Sequence, residues 1–204
     1  MSAPRPSRPS LADPEPLGDQ ALESLRFIRS TMEASTAFTA VPGRGMVAMG
    51  LIGAAGAAAA ARQASPGAWL AVWLLTGALA AGVGFAAMVL KARAADSPLL
   101  VGSGRRFALA FLPPVLAAVL LTFAIARVER HELLPGMWML LYGVATMAGG
   151  TFSVRVIPAM GACFALAGLI ALFAPAAWGD ASMALTFGAL HVGFGAVVWR
   201  RHGG

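Results

Sequence analysis

All 24 Asp, Glu, Lys and Arg residues of this 204-residue chain fall outside six apolar runs, at 45–61, 68–90, 107–126, 134–150, 156–174 and 181–199. A charge at bilayer depth is costly, and a helix needs about 20 apolar residues to cross the hydrocarbon core. The runs are 17 to 23 residues long. Composition points the same way. Only 12% of residues are charged, against about 25% in a soluble domain, and the mean hydropathy is +0.75. The expectation is an all-α membrane fold of six transmembrane helices.

Runs four and five are separated only by "TFSVR". Together they are about twice one crossing, so they read as two helices, with Gly149-Gly150 as the turn between them. A short step recurs three times, at Pro66-Gly67-Ala68-Trp69, Pro135-Gly136-Met137-Trp138 and Pro175-Ala176-Ala177-Trp178. Proline suits the first turn of a helix, where its missing N–H would have no partner anyway. Tryptophan suits headgroup depth, with its ring in the apolar edge and its N–H toward water. Each step then opens the second helix of a hairpin, giving three hairpins from spans 1–2, 3–4 and 5–6. Trp69, Trp138 and Trp178 all lie at one end.

Charge sets the orientation. Arg5, Arg8, Arg26, Arg29, Arg44, Lys91, Arg93, Arg105, Arg106, Arg155, Arg200 and Arg201 lie on the side of the N-terminus; only Arg62, Arg127 and Arg130 lie on the other. Twelve basic groups against three place both termini in the cytoplasm by the positive-inside rule. The net charge of +6 therefore reads as topology. Nucleic acid is not an expected partner, because the basic groups sit singly or in pairs at span ends.

Before the spans, residues 1–18 are rich in Pro and Ser and read as a disordered tail. The opening stretch lacks the apolar centre of a signal peptide, so the tail is expected to be retained. Residues 19–40 read as an amphipathic juxtamembrane helix. Asp19 is its N-cap; Leu22, Leu25, Ile28 and Met32 form the apolar stripe, flanked by Arg26, Arg29 and Glu33. Such a helix lies on the inner leaflet, packs on the bundle or docks a cytoplasmic partner. Residues 41–204 form the transmembrane domain.

Inside the spans the ionisable side chains are His191, Tyr142 and Cys163. His191 is ten residues into its run, about 15 Å along the helix. Gly188 and Gly195 stand at i−3 and i+4, on the same face, so His191 is expected in a packed interface. A haem ligand or proton relay would need a second intramembrane histidine or a carboxylate, and the spans contain neither. The expectation is instead a neutral histidine bonded to Tyr142, Thr146 or Thr122, with no cofactor and no metal. Pro113-Pro114 removes two donors from span 3 and is expected to disrupt the helix there. Broken helices mark substrate sites in transporters, but this pair lies only seven residues from the span's inner end. Gly50, Gly53 and Gly56, and Gly161 with Gly168, are close-packing faces and candidates for self-association.

The segment "LPGMWMLLYGVATMAGGTFSVRVIPAMGACFALAGLIALFAPAAWGD", the following "FGALHVGFGAVVWRRHGG" and the upstream "RFIRSTMEASTAFTAVPGRG" resemble an uncharacterised family of small six-span bacterial membrane proteins. The resemblance covers about residues 21–204. It implies a bacterial inner-membrane location and carries no catalytic motif. A looser similarity, resting on six spans, Gly-rich helices and the Pro-x-x-Trp step, is to acid-resistance membrane proteins with paired-helix repeats. No His-x-x-x-His, Gly-x-Ser-x-Gly or phosphate-cradling loop is written in the chain. The functional expectation is a non-enzymatic structural or accessory protein that acts through helix packing, with the bilayer, a second copy and a cytoplasmic protein as partners. The alternative is a small transporter or channel for a neutral or apolar solute.

Overall fold

The computed structural model describes residues 21–28, 32, 37–95 and 99–203. The chain divides into two units, Met1–Thr36 and Ala37–Gly204. In the first, residues 21–28 are helical, and Leu22, Leu25 and Ile28 are exposed. Residues 1–18, Asp19, Arg29 and Glu33 lie outside the described residues.

The second unit holds six helices long and apolar enough to cross a membrane: α1 (Gly43–Ala60), α2 (Pro66–Ala94), α3 (Gly102–Arg127), α4 (His131–Gly150), α5 (Val156–Phe173) and α6 (Ala176–His202). The protein is a multi-pass, all-helical membrane protein. At 1.5 Å per residue α1 and α5 are about 27 Å long and α2 about 43 Å. α2, α3 and α6 overrun their apolar runs at both ends; at Arg93, Arg105, Arg127, Arg200 and Arg201 the helix continues while the charged head stays exposed.

α1 packs between α2 and α6, and α4 packs between α3 and α5; α6 also touches α4 and α5. The closest pairings are α4 with α5 and α1 with α6, and glycine explains both. A β-carbon on Gly143 would come 2.7 Å from the Gly161 carbonyl oxygen, and one on Gly161 would come 2.7 Å from the Gly143 carbonyl oxygen. Gly168 meets the backbone of Leu140 and Gly136 in the same way. On the other side of the bundle Gly50 meets Gly188 and Val192, and Gly195 meets Val47 and Gly43. Gly136, Gly143 and Gly150 are seven residues apart, as are Gly161 and Gly168, Gly43 and Gly50, and Gly188 and Gly195. Seven residues are nearly two turns, so each set forms one stripe along which backbones meet.

The large apolar side chains point the other way. On α3, Leu109, Leu112, Leu116, Val119, Leu120 and Phe123 are exposed. Only 6% of its most apolar stretch is buried, against 56% for α4. A small-inside, large-outside arrangement on this scale suits hydrocarbon, where close backbone packing rather than exclusion of water holds helices together.

Two ends of the bundle follow from the contacts. At one, Phe38 N–H donates to the Phe152 carbonyl at 2.7 Å and the Ser153 hydroxyl donates to the Phe38 carbonyl at 2.6 Å. Lys91 Nζ there donates to the carbonyls of Val41, His202 and Gly203 at 2.9, 2.8 and 3.0 Å. The ammonium thus satisfies carbonyls at the C-terminus of α6, where a cation is favourable. The Arg44 guanidinium lies 4.9 Å from the Trp199 ring centre. The start of α1 and the ends of α2, α4 and α6 therefore share one end. Trp69, Trp138 and Asp180, at the starts of α2, α4 and α6, share the other.

Two local expectations change. Gly149 and Gly150 end α4 rather than forming the turn, which begins at Thr151. Neither has a positive φ; their small size lets Phe107 and Pro158 approach. Pro113 and Pro114 lie within an unbroken α3: the ladder on either side carries the helix across two missing donors. Pro113 faces outward, on the least buried helix of the bundle.

Candidate functional site

The polar centre of the bundle is built from α4, α5 and α6. His191, 2% exposed, lies just after a seven-residue π-helical stretch, Ala184–Leu190. The wide turn separates two faces of α6. Gly188 and Gly195 turn to α1, while Phe187 and His191 turn to α4 and α5. π-turns of this kind are frequent at functional positions. Two hydroxyls satisfy carbonyls around it: Ser182 donates to Gly179 at 2.8 Å, and Thr186 donates to Ser182 at 2.9 Å.

Tyr142 Oη and His191 Nε2 are hydrogen-bonded at 2.8 Å. Of the three partners the sequence offered for His191, the structure selects Tyr142. Phe164 stands with its ring centre 4.9 Å from Tyr142 and 5.2 Å from His191. Phe187 lies 5.3 Å from Tyr142 and stacks on His191 at 6.0 Å. Phe111 closes the Tyr142 side at 6.1 Å. The chain of rings continues through Phe107 to Phe38.

His191 Nδ1 is buried without a partner at hydrogen-bonding geometry, close to the Thr186 and Phe187 carbonyls of the π turn. With Nε2 on Tyr142 and Nδ1 toward helix backbone, neither ring nitrogen opens onto space for a haem iron. Thr146 Oγ1, one turn from Tyr142, is likewise buried without a partner at hydrogen-bonding geometry, beside the Tyr142 hydroxyl. Thr122 serves a different group: its hydroxyl accepts the Trp138 indole N–H at 2.7 Å and donates to the Ala118 carbonyl.

A second cluster occupies the Trp-bearing end. Asp180 Oδ1 accepts two indole N–H groups, from Trp69 at 2.8 Å and Trp73 at 3.0 Å. The Trp69 and Trp138 rings stack with centres 5.8 Å apart and 7° between planes. Helix-start chemistry accounts for the placement. Ser65 caps α2 by accepting the Ala68 N–H, and Pro66 opens its first turn. Pro135 opens the α-helical part of α4. Pro175 precedes a 3-10 turn, Ala176–Trp178, that runs into α6. Asp180, in the first α-helical turn that follows, also meets the favourable end of the helix dipole.

Two of the three step tryptophans therefore depart from the sequence expectation: the N–H groups of Trp69 and Trp138 are bonded within the protein rather than turned to water. A carboxylate and a hydroxyl on neighbouring helices outcompete solvent there. Trp178 remains 63% exposed. It borders a shallow apolar groove of about 190 Å³ between the start of α4, the end of α5 and the start of α6.

Sequence reasoning missed Asp180 and Trp73. Trp69 and Trp73 are one turn apart and share a face, which was a readable signal. Asp180 stood at a span boundary, where an acidic residue is unremarkable. Among the described residues no group of three His, Cys, Asp or Glu gathers to hold a metal. Cys163 is exposed on α5. Comparison with protein-family models, with curated proteins and with solved structures finds no match for the chain.

Proposed function

We propose that this chain is a non-enzymatic accessory or structural protein of the bacterial inner membrane, with both termini in the cytoplasm and its six helices inserted as three hairpins. It acts through its packed transmembrane surface and through the juxtamembrane helix, which docks a cytoplasmic protein. The observation that carries this reading is the Tyr142–His191 pair. The most polar point of the membrane interior is consumed in an internal hydrogen bond and enclosed by Phe111, Phe164 and Phe187. Such an arrangement fixes how α4, α5 and α6 meet, and polar pairs between membrane helices serve that role. The unbroken α3 across Pro113-Pro114 removes the motive for a substrate site there. The basic asymmetry and the end of the bundle shared by Lys91, Arg44 and His202 support the orientation.

The test is photocrosslinking in cells from a probe amino acid at Glu23, combined with solute flux in proteoliposomes. The expected result is one reproducible crosslinked partner, lost in Leu25→Glu with Ile28→Glu, which keeps the probe position and the packed residue Phe38, and glycerol flux equal to that of empty vesicles. Saturable flux above that baseline, abolished by Tyr142→Trp, would overturn the accessory role in favour of transport.

A further inference from the structure

The groove beside Trp178 has the features of a lipid site. Its walls are Pro135 on α4, Ala171 on α5, Ala174 just past the end of α5, and Trp178 and Leu185 on α6, with the exposed Glu132 also lining it. Small side chains leave room there: Ala167 and Ala171 on α5, and Ala176, Gly179 and Ser182 on α6. Lining residues on α5 run from Ala171 inward to Ala167, about 6 Å along the helix. In a membrane this groove opens to hydrocarbon. Left empty, its walls would lose dispersion contacts.

The mouth supplies the chemistry that selects a headgroup. Glu132 forms an ion pair with Arg130, and both are exposed. Arg130, outside the lining, is held beside the groove by its pair with Glu132, so one charge of each sign lies near an exposed tryptophan where helices α4 and α6 begin. Tryptophan favours headgroup depth. A guanidinium complements a phosphate, and a carboxylate accepts from an ammonium that carries N–H donors. A phosphoglycerol headgroup has no cation for Glu132, and a quaternary choline has no N–H to donate.

We propose that this groove binds one acyl chain of a phosphatidylethanolamine, with the phosphate at Arg130 and the primary ammonium at Glu132. The site depends on the chain spanning a membrane but not on the accessory role proposed above.

The experiment is native mass spectrometry of the full chain in detergent, supplied with equal amounts of phosphatidylethanolamine, phosphatidylcholine and phosphatidylglycerol. An exposed charge contact is weak because water screens it, so phosphatidylethanolamine should be retained only about two- to fivefold over the other two. Glu132→Gln should bring phosphatidylethanolamine and phosphatidylcholine to parity, since it removes the charge but not the groove. Ala171→Phe should displace all three lipids by filling the groove. Leu185→Phe, at a residue 61% exposed, does the same without burdening the core and stands in if Ala171→Phe does not fold. Equal retention of the three lipids by the unmodified protein refutes the site, as does unchanged lipid retention in the folded groove-filling variants. So does conversion of a dimer to a monomer by either variant, which would assign the groove to a second copy of the chain.

Discussion

Gly143 provides a quantitative test of the α4–α5 contact. An alanine there would place its β-carbon 2.7 Å from the Gly161 carbonyl oxygen and against the backbone of Ala165. Both neighbours are main-chain atoms of a packed helix, so no side chain can rotate away. α5 must move outward by several tenths of an ångström along its length, breaking register with Gly168 on Leu140. Overpacking of this kind costs about 1–3 kcal/mol. The gain in helix propensity from Gly to Ala opposes it by up to about 1 kcal/mol. Gly143→Ala should therefore be destabilising by about 1–2 kcal/mol, and Gly143→Val by more. Gly77, on α2, is the internal control, because a β-carbon there meets nothing within 4 Å. Gly77→Ala carries the propensity gain without the clash and should be neutral or stabilising by up to about 1 kcal/mol. Reversible unfolding of the purified protein in mixed micelles, followed by far-ultraviolet circular dichroism, measures both. The two substitutions are chemically identical, and Gly143→Ala should be less stable than Gly77→Ala by the overpacking cost of about 1–3 kcal/mol. If they shift the midpoint equally, backbone contact at Gly143 is not what holds α4 to α5.

Four further outcomes are expected. Reporter fusions at Gly204 and Ser97 should report cytoplasmic and one at Glu129 periplasmic; a periplasmic signal from Gly204 would invert the topology. Asp180→Ala leaves the Trp69 and Trp73 N–H groups without their acceptor and should cost about 1–3 kcal/mol, with red-shifted indole emission; unchanged emission would mean that the carboxylate does not hold them. A double-mutant cycle with Tyr142→Phe and His191→Ala should give a coupling of about 0.6 kcal/mol, typical of polar pairs between membrane helices, with no change in the visible spectrum; a haem Soret band lost in His191→Ala would place the protein in redox chemistry instead. A peptide of residues 19–40 should be largely unstructured in water, where so short a helix is marginal, and should gain helix on anionic vesicles. Leu25→Glu with Ile28→Glu should abolish that gain, and absence of lipid-induced helix in the unmodified peptide would remove the surface-anchor reading.

The number of helices was legible because a bilayer imposes a one-dimensional rule. Charge is excluded from about 20 consecutive residues, so the gaps between charges mark the spans before any packing is known. The separation of runs four and five by Thr151–Arg155 was readable for the same reason. The helix starts at Pro66 and Pro135 were local too, since a proline with its missing donor favours the first turn wherever the rest of the chain goes. His191 was legible as buried from its depth in the span, but its direction was not: regular spacing puts it with Gly188 and Gly195, whereas the π turn sends those glycines to α1 and His191 to Tyr142 and Phe164.

The partners were not legible. Gly43 and Gly50, Gly136, Gly143 and Gly150, Gly161 and Gly168, and Gly188 and Gly195 all advertise close approach, and nothing in a heptad of glycines says which stripe it meets. The fold matches α1 with α6, the first span with the last, through Gly50 and Gly188, and α4 with α5 through Gly143 and Gly161. That match brings Tyr142 to His191. It also sets Asp180 between Trp69 and Trp73, more than 100 residues away in sequence. Hydrophobic thickness acts on each segment separately and can be read from the chain alone. Backbone-to-backbone packing acts on pairs of surfaces, and small residues make many pairs sterically admissible. The choice among them is made by the whole set of helices packing at once.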